Sequence, residues 1–193
     1  MISSHKRPHL SKDGSLVLNA GAIVNLLGTG HAAVLLRAFE QRCVVDRKAF
    51  KQVTLDPITR GSPAEPLNGL LKAGLLELAE MGNDAFSTFV DLAVGSSSHS
   101  LDDGDAATIA LAIATRATAV VDDEVSVRIA KGRLPSIRCI ATLDLLRDPE
   151  VGARVGQHVL VESVKSALRH ARMRVPVEFR GWVEQLIRRR LAN

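Results

Sequence analysis

Six acidic residues stand close together in one stretch of the chain: Asp102, Asp103 and Asp105 in LDDGDAATIALAIA, and Asp122, Asp123 and Glu124 in AVVDDEVSVR. Carboxylates gathered at strand ends suit hard cations, because Mg²⁺ and Mn²⁺ favour carboxylate and water oxygens. One or two such ions can activate water against a phosphodiester and offset charge on the leaving oxygen. A plainer role exists for the first three acids, which can cap a helix and complement its dipole. That role does not reach the second group, which lies past a different element. Arg128, one helical turn beyond Glu124, reads most simply as its i,i+4 ion-pair partner, and otherwise as a phosphate contact.

The elements around these acids set their positions. Leu101 to Gly104 is turn chemistry, and Asp105 to Arg116 reads as a helix apolar on most sides, hence buried. Ala117 to Val121 then suits an interior parallel strand, with Asp122 to Glu124 just past its carboxyl end. In open α/β sheets ligands bind at that end, so Asp105 and the Asp122–Glu124 group are expected to converge. Upstream, Ser15 to Leu18 is a short strand followed by Asn19 and a helix stopped at Gly28-Thr29-Gly30. A helix over 31–41 leads to a strand at Cys43 to Val45 and a helix over 46–53 that carries Gln52 near its end. Residues 54–66 hold three prolines and a glycine and read as a loop. Amphipathic helices follow over 67–76 and 84–94, then a flexible link at Gly95 to His99. After the acids come a helix over 125–132, a strand at 137–140 and a helix from Thr142. Helices over 159–172 and 179–191 complete the chain, with Trp182 as an anchor onto the core.

Short interior strands alternating with helices predict an α/β fold with a central parallel sheet. The division expected is a lead-in over 1–14, one domain over 15–148 and a helical extension over 149–193. The 193 residues suffice for one sizeable core, and an apolar content of 46% with 24% charged residues is that of a globular chain. No apolar run approaches the roughly 18–20 residues of a membrane span. The basic start reads as no signal peptide, and cytoplasm is the expected compartment. Cys43 and Cys139 follow no zinc or disulfide pattern and read as reduced core thiols. Gly28-Thr29-Gly30 ends a helix where a dinucleotide fingerprint would begin one. The six histidines lack metal spacing, with His158 and His170 read as surface residues, and no nucleophile elbow is present. The net charge is +4, concentrated from Lys165 to Arg190, where eight Lys/Arg face two Glu. Lys165, Arg169, Arg172 and Arg174 are therefore candidate nucleic-acid contacts, with a solvated helical face as the competing role.

Taken together, LVLNAGAIVNLL, VVDRKAFKQV, LDDGDAATIALAIA and AVVDDEVSVRIAKG resemble the PIN-domain family, especially the bacterial VapC-like toxins, across residues 15–146. The resemblance implies a PIN-like, Rossmann-like three-layer α/β fold and Mg²⁺- or Mn²⁺-dependent ribonuclease activity. It also implies RNA as substrate, a neutralising antitoxin as partner and a homodimer. The family's four acids carry over to Asn19, Gln52, Asp105 and the Asp122-Asp123 pair, with Glu124 close by. Asp105, Asp122 and Asp123 would hold the metal, while two of the four positions are amides. A shifted register would bring Asp46 or Asp56 to the second position. Losing two carboxylates weakens a metal site held chiefly by charge, and an amide cannot take a proton from water. The expectations are a ribonuclease with a weakened or silenced site, or a catalytically inactive module that binds RNA or protein. A third reading makes Asn19 an introduced silencing change and leaves Gln52 unexplained.

Overall fold

A computed structural model describes residues 14–94 and 100–188. Five parallel strands form the sheet: β1 (Ser15–Leu18), β2 (Arg42–Asp46), β3 (Glu77–Ala79), β4 (Thr118–Val120) and β5 (Cys139–Ile140), in the order β3-β2-β1-β4-β5. β1 is central, with Val17 opposite both Val44 and Ala119. The chain leaves β1 towards one edge and crosses to the other side only at β4. Between the carboxyl ends of β1 and β4 the connections diverge, which makes this the topological switch point of the sheet, where open α/β sheets place their ligand crevices.

Side chains alternate across the sheet as the pleat demands. Leu16 and Leu18 of β1, Val45 of β2 and Val120 of β4 enter one apolar cluster, while Val17, Ala119 and Val121 enter another. The first layer is built on helices α1 (Ala20–Gly28) and α2 (Ala32–Ala38), with contributions from α3 (Arg47–Gln52) and α4 (Ala64–Lys72). The second is built on α5 (Asn83–Ala93), α6 (Asp103–Ala114) and α7 (Glu124–Arg133). The result is a three-layer, Rossmann-like α/β arrangement. As the sequence predicts, α6 is buried almost throughout, from Gly104 to Ala112.

Past β5 come α8 (Thr142–Arg147), α9 (Pro149–Val155), α10 (Gln157–Ser166) and, after a π-helical turn at Ala167–Ala171, α11 (Val177–Arg188). Val151, Leu160, Val164, Phe179 and Leu186 join the same cluster as Leu16 and Leu18, so the extension shares the core of the sheet. Trp182 packs partly buried against it. Close approach here depends on Gly28: a Cβ on it would lie 2.5 Å from Cβ of Ala171.

Several local expectations change. β3 follows directly on the predicted 67–76 helix, in a stretch for which no element is expected, because a three-residue edge strand with an exposed Leu78 carries almost no period-2 signal. The 54–66 loop is shorter than expected, since α4 begins at Ala64 and tolerates Pro66 in its first turn. α9 is an added element, with Asp148 as N-cap and Pro149 opening the helix. The expected 159–172 helix is divided by the π turn, which closes at Arg172 in the left-handed region (φ 54°). The lead-in before Gly14, the link at Gly95 to His99 and the chain after Arg188 lie outside the described residues. Among the described residues no single helix is long and apolar enough to cross a membrane.

Candidate functional site: a hydrogen-bonded acid centre at the switch point

Asn19 follows β1 directly and is 4% exposed. Its backbone N–H bonds the Val120 carbonyl at 3.0 Å, which locks it to the end of β4. Its side chain caps α1, Oδ1 accepting from the Ala22 N–H at 2.7 Å. With the carbonyl oxygen so used, the amide nitrogen faces the other way and donates to Oδ1 of Asp105 at 2.8 Å.

Asp105 sits in the first turn of α6 and is 5% exposed. Burial pushes its carboxyl above the ordinary carboxylate range. Hydrogen bonds from Ser126 and Asn19 work against that shift, and the nearby charges of Asp102 and Asp123 add to it. Asp102 is the N-cap of α6, accepting from the N–H groups of Gly104 (2.8 Å) and Asp105 (3.0 Å). Asp103, the first residue of α6, is exposed. Gln52, the last residue of α3, donates its side-chain amide to Asp102 at 3.2 Å. It lies so close over Gly104 that a Cβ there would stand 1.9 Å from Oε1 of Gln52. Asp46 and Asp56, the alternatives to Gln52, are spent on local turns, accepting from Lys48 N (2.7 Å) and Ile58 N (2.8 Å).

Beyond β4 the acids separate. Asp123 caps α7 through the Ser126 N–H at 2.8 Å and stays within electrostatic reach of Asp105. Asp122 turns away towards α1 and α8. Its Oδ1 accepts from Thr142 N (2.7 Å), and its Oδ2 accepts from Thr142 Oγ1 (2.5 Å) and Asn25 Nδ2 (2.8 Å). Convergence of Asp105 with the whole Asp122–Glu124 group is thus corrected to convergence with Asp123 alone. Consecutive residues leaving a strand point to opposite sides, so a DD pair cannot serve one point twice. Glu124 and Arg128 are both exposed, and no ion pair joins them, contrary to the expected i,i+4 contact.

The residues that orient this centre and carried no sequence signal of chemistry are Asn25, Ser126 and Thr142, all buried. Only Asn25 left a trace, as a polar residue inside the apolar run AIVNLL. The basic candidates do not form one patch. Arg128 is on α7, in the layer of the second cluster, whereas Lys165 to Arg174 flank residues of the first. Lys165 is 3.7 Å from Glu162, and Arg169, Arg172 and Arg174 are exposed.

For the Mg²⁺ or Mn²⁺ implied by the resemblance, Asp122 and Asn19 are poorly turned. A hard cation needs outward-facing oxygens, but both oxygens of Asp122 are held by N–H and O–H donors and Asn19 turns an N–H towards Asp105. Among the described residues no three His, Cys, Asp or Glu side chains are grouped so as to hold a metal ion. The centre holds an amide–carboxylate network built from Asn19, Gln52, Asp102 and Asp105. No protein-family model and no curated protein sequence matches the chain.

Proposed function

We propose that this chain is a PIN-like protein of the cytoplasm that binds RNA and does not cut it by metal-activated water. The observation that carries the reading is the 2.8 Å hydrogen bond from Asn19 to Asp105, in which a neutral N–H donor occupies the carboxylate oxygen that a cation would otherwise take. The sheet order β3-β2-β1-β4-β5, with this pair at its switch point, supports the PIN likeness. Hydrolysis, the activity that the resemblance implies, draws on four acids, of which two are the amides Asn19 and Gln52 here, while Asp122 is turned to Thr142 and Asn25 and leaves Asp123 alone beside Asp105. RNA is favoured as the bound class because the exposed arginines at 169, 172 and 174 form no ion pair among the described residues and offer phosphate contacts.

Calorimetry with Mn²⁺ tests the centre, and fluorescence anisotropy of a short single-stranded RNA over a salt series tests the binding. The expected result is no Mn²⁺ heat, no cleavage, and RNA affinity that falls as salt rises. Mn²⁺ binding together with cleavage that Asp105→Ala abolishes would overturn the reading.

A further inference from the structure

We infer that a cleft beside the acid centre is a phosphate-binding subsite, in which Arg60, Arg172, His170 and Gln52 receive the phosphate of a nucleotide or of an RNA end. The cleft holds about 190 Å³ between the loop after α3 and the π turn, with Val24 and Leu55 among its apolar lining. That is below the roughly 300–1,000 Å³ of pockets that enclose whole small molecules, so it takes a charged group and leaves the remainder outside. Gln52 joins it to the acid centre, since the same side chain lines the cleft and donates to Asp102.

Its charge is one-sided. No lining residue is acidic, and among the described residues neither Arg60 nor Arg172 forms an ion pair. Two arginines without carboxylate partners among the described residues line one concavity, and guanidinium groups carry the planar donor geometry that phosphate oxygens accept. Gln52 completes the match. A glutamate there would place a negative charge in the cleft wall, whereas the amide is neutral and turns a donor towards Asp102. The amide that weakens the centre as a cation site is therefore what leaves the cleft open to an anion.

The walls are fixed in advance. The Arg60 loop is closed by the Asp56 N–H to the Gly61 carbonyl (2.9 Å) and the Arg60 N–H to the Asp56 carbonyl (2.9 Å). Asp56 Oδ1 also accepts from Ile58 N at 2.8 Å. The π turn is fastened to α1 by the Ser166 hydroxyl, which donates to the Gly28 carbonyl at 2.7 Å. Arg60 (φ 62°) and Arg172 (φ 54°) are both left-handed, a conformation that non-glycine residues rarely adopt. Two of the four such residues among those described thus line this one cleft, one of them closing a π turn, a feature often found at functional sites.

The subsite rests on the cleft and not on RNA binding, because a free mononucleotide would satisfy it equally. The test titrates the full chain with inorganic phosphate, adenosine 5′-monophosphate, and a short RNA with and without a 5′-phosphate. The variants are Arg60→Gly with Arg172→Gly, and Gln52→Glu. Glycine removes each cation and also relieves the left-handed backbone, so the double variant should melt no lower than the parent. The parent should bind the monophosphate and prefer the phosphorylated RNA end, with phosphate itself competing. Either variant should weaken these at least about tenfold, the scale of one or two charge-assisted contacts. Unchanged monophosphate affinity in both folded variants overturns the subsite, even if RNA still binds elsewhere. Loss of monophosphate binding in a chain that binds no RNA keeps the subsite and removes the RNA reading instead.

Discussion

Asn19 and Asp105, 86 residues apart in sequence, meet through a single buried hydrogen bond of 2.8 Å from amide to carboxylate. The bond links the carboxyl end of β1 to the first turn of α6, the two elements that frame the switch-point crevice. Because the Asn19 carbonyl oxygen is committed to the Ala22 N–H, the amide cannot flip without losing the α1 cap.

Replacing that donor with an acceptor should therefore be felt. Asn19→Asp keeps a good N-cap but sets two carboxylates against each other in a buried place. The expected loss is about 1–3 kcal/mol, the scale of a buried group left without its partner. Thermal denaturation checks it, and Mn²⁺ should recover part of the lost stability in Asn19→Asp while leaving the parent unmoved. A variant as stable as the parent without metal would show that the hydrogen bond contributes nothing.

The pH dependence of stability follows from Asp105. Its folded carboxyl titrates above the ordinary 3.8, because burial disfavours the charge. The folded state then holds a proton that the unfolded state has released, so stability falls as pH rises from that ordinary value through the raised one. Asp105→Asn removes the loss and preserves an oxygen for the Asn19 amide. The variant should match the parent in acid and melt above it near neutrality, with the gap opening across the intervening range. Parallel melting curves at every pH would contradict the assignment.

Burial also quiets the two thiols. It pushes Cys43 up to about 12 and Cys139 up to about 11, from an ordinary 9.0. Alkylation of the native protein at neutral pH should be slower than in urea by at least about tenfold, because the thiolate is the nucleophile. Any stability contributed by these protonated thiols is lost as pH climbs from 9.0 towards the raised values. Rapid native labelling of Cys43 would place it outside the core.

Gly28→Ala tests the seam between α1 and the π turn. The new methyl would stand 2.5 Å from Cβ of Ala171 and 3.2 Å from its backbone nitrogen, and backbone cannot swing aside like a side-chain tip. Overpacking of this kind costs about 1–3 kcal/mol. Denaturant unfolding should register that loss even though alanine is the better helix former.

Patterning along the chain was enough to place β1, β2, β4, α1, α3, α6 and α7, because each couples a regular apolar period to a polar punctuation mark. It also put Asn19, Gln52, Asp105 and Asp123 at element ends, where side chains reach a crevice. Edge strand β3 and the π turn left no such mark: three half-exposed residues have no period, and a π turn differs from an α-helix by one hydrogen-bond step. The separation of Asp122 from Asp105 was also invisible along the chain, since it depends on Thr142 and Asn25 arriving from α8 and α1 to claim both oxygens of Asp122. Residue type says that a carboxylate wants partners. Which donors reach it first, a cation or the chain's own N–H groups, is a matter of how distant elements pack, and here the packing brings the N–H groups.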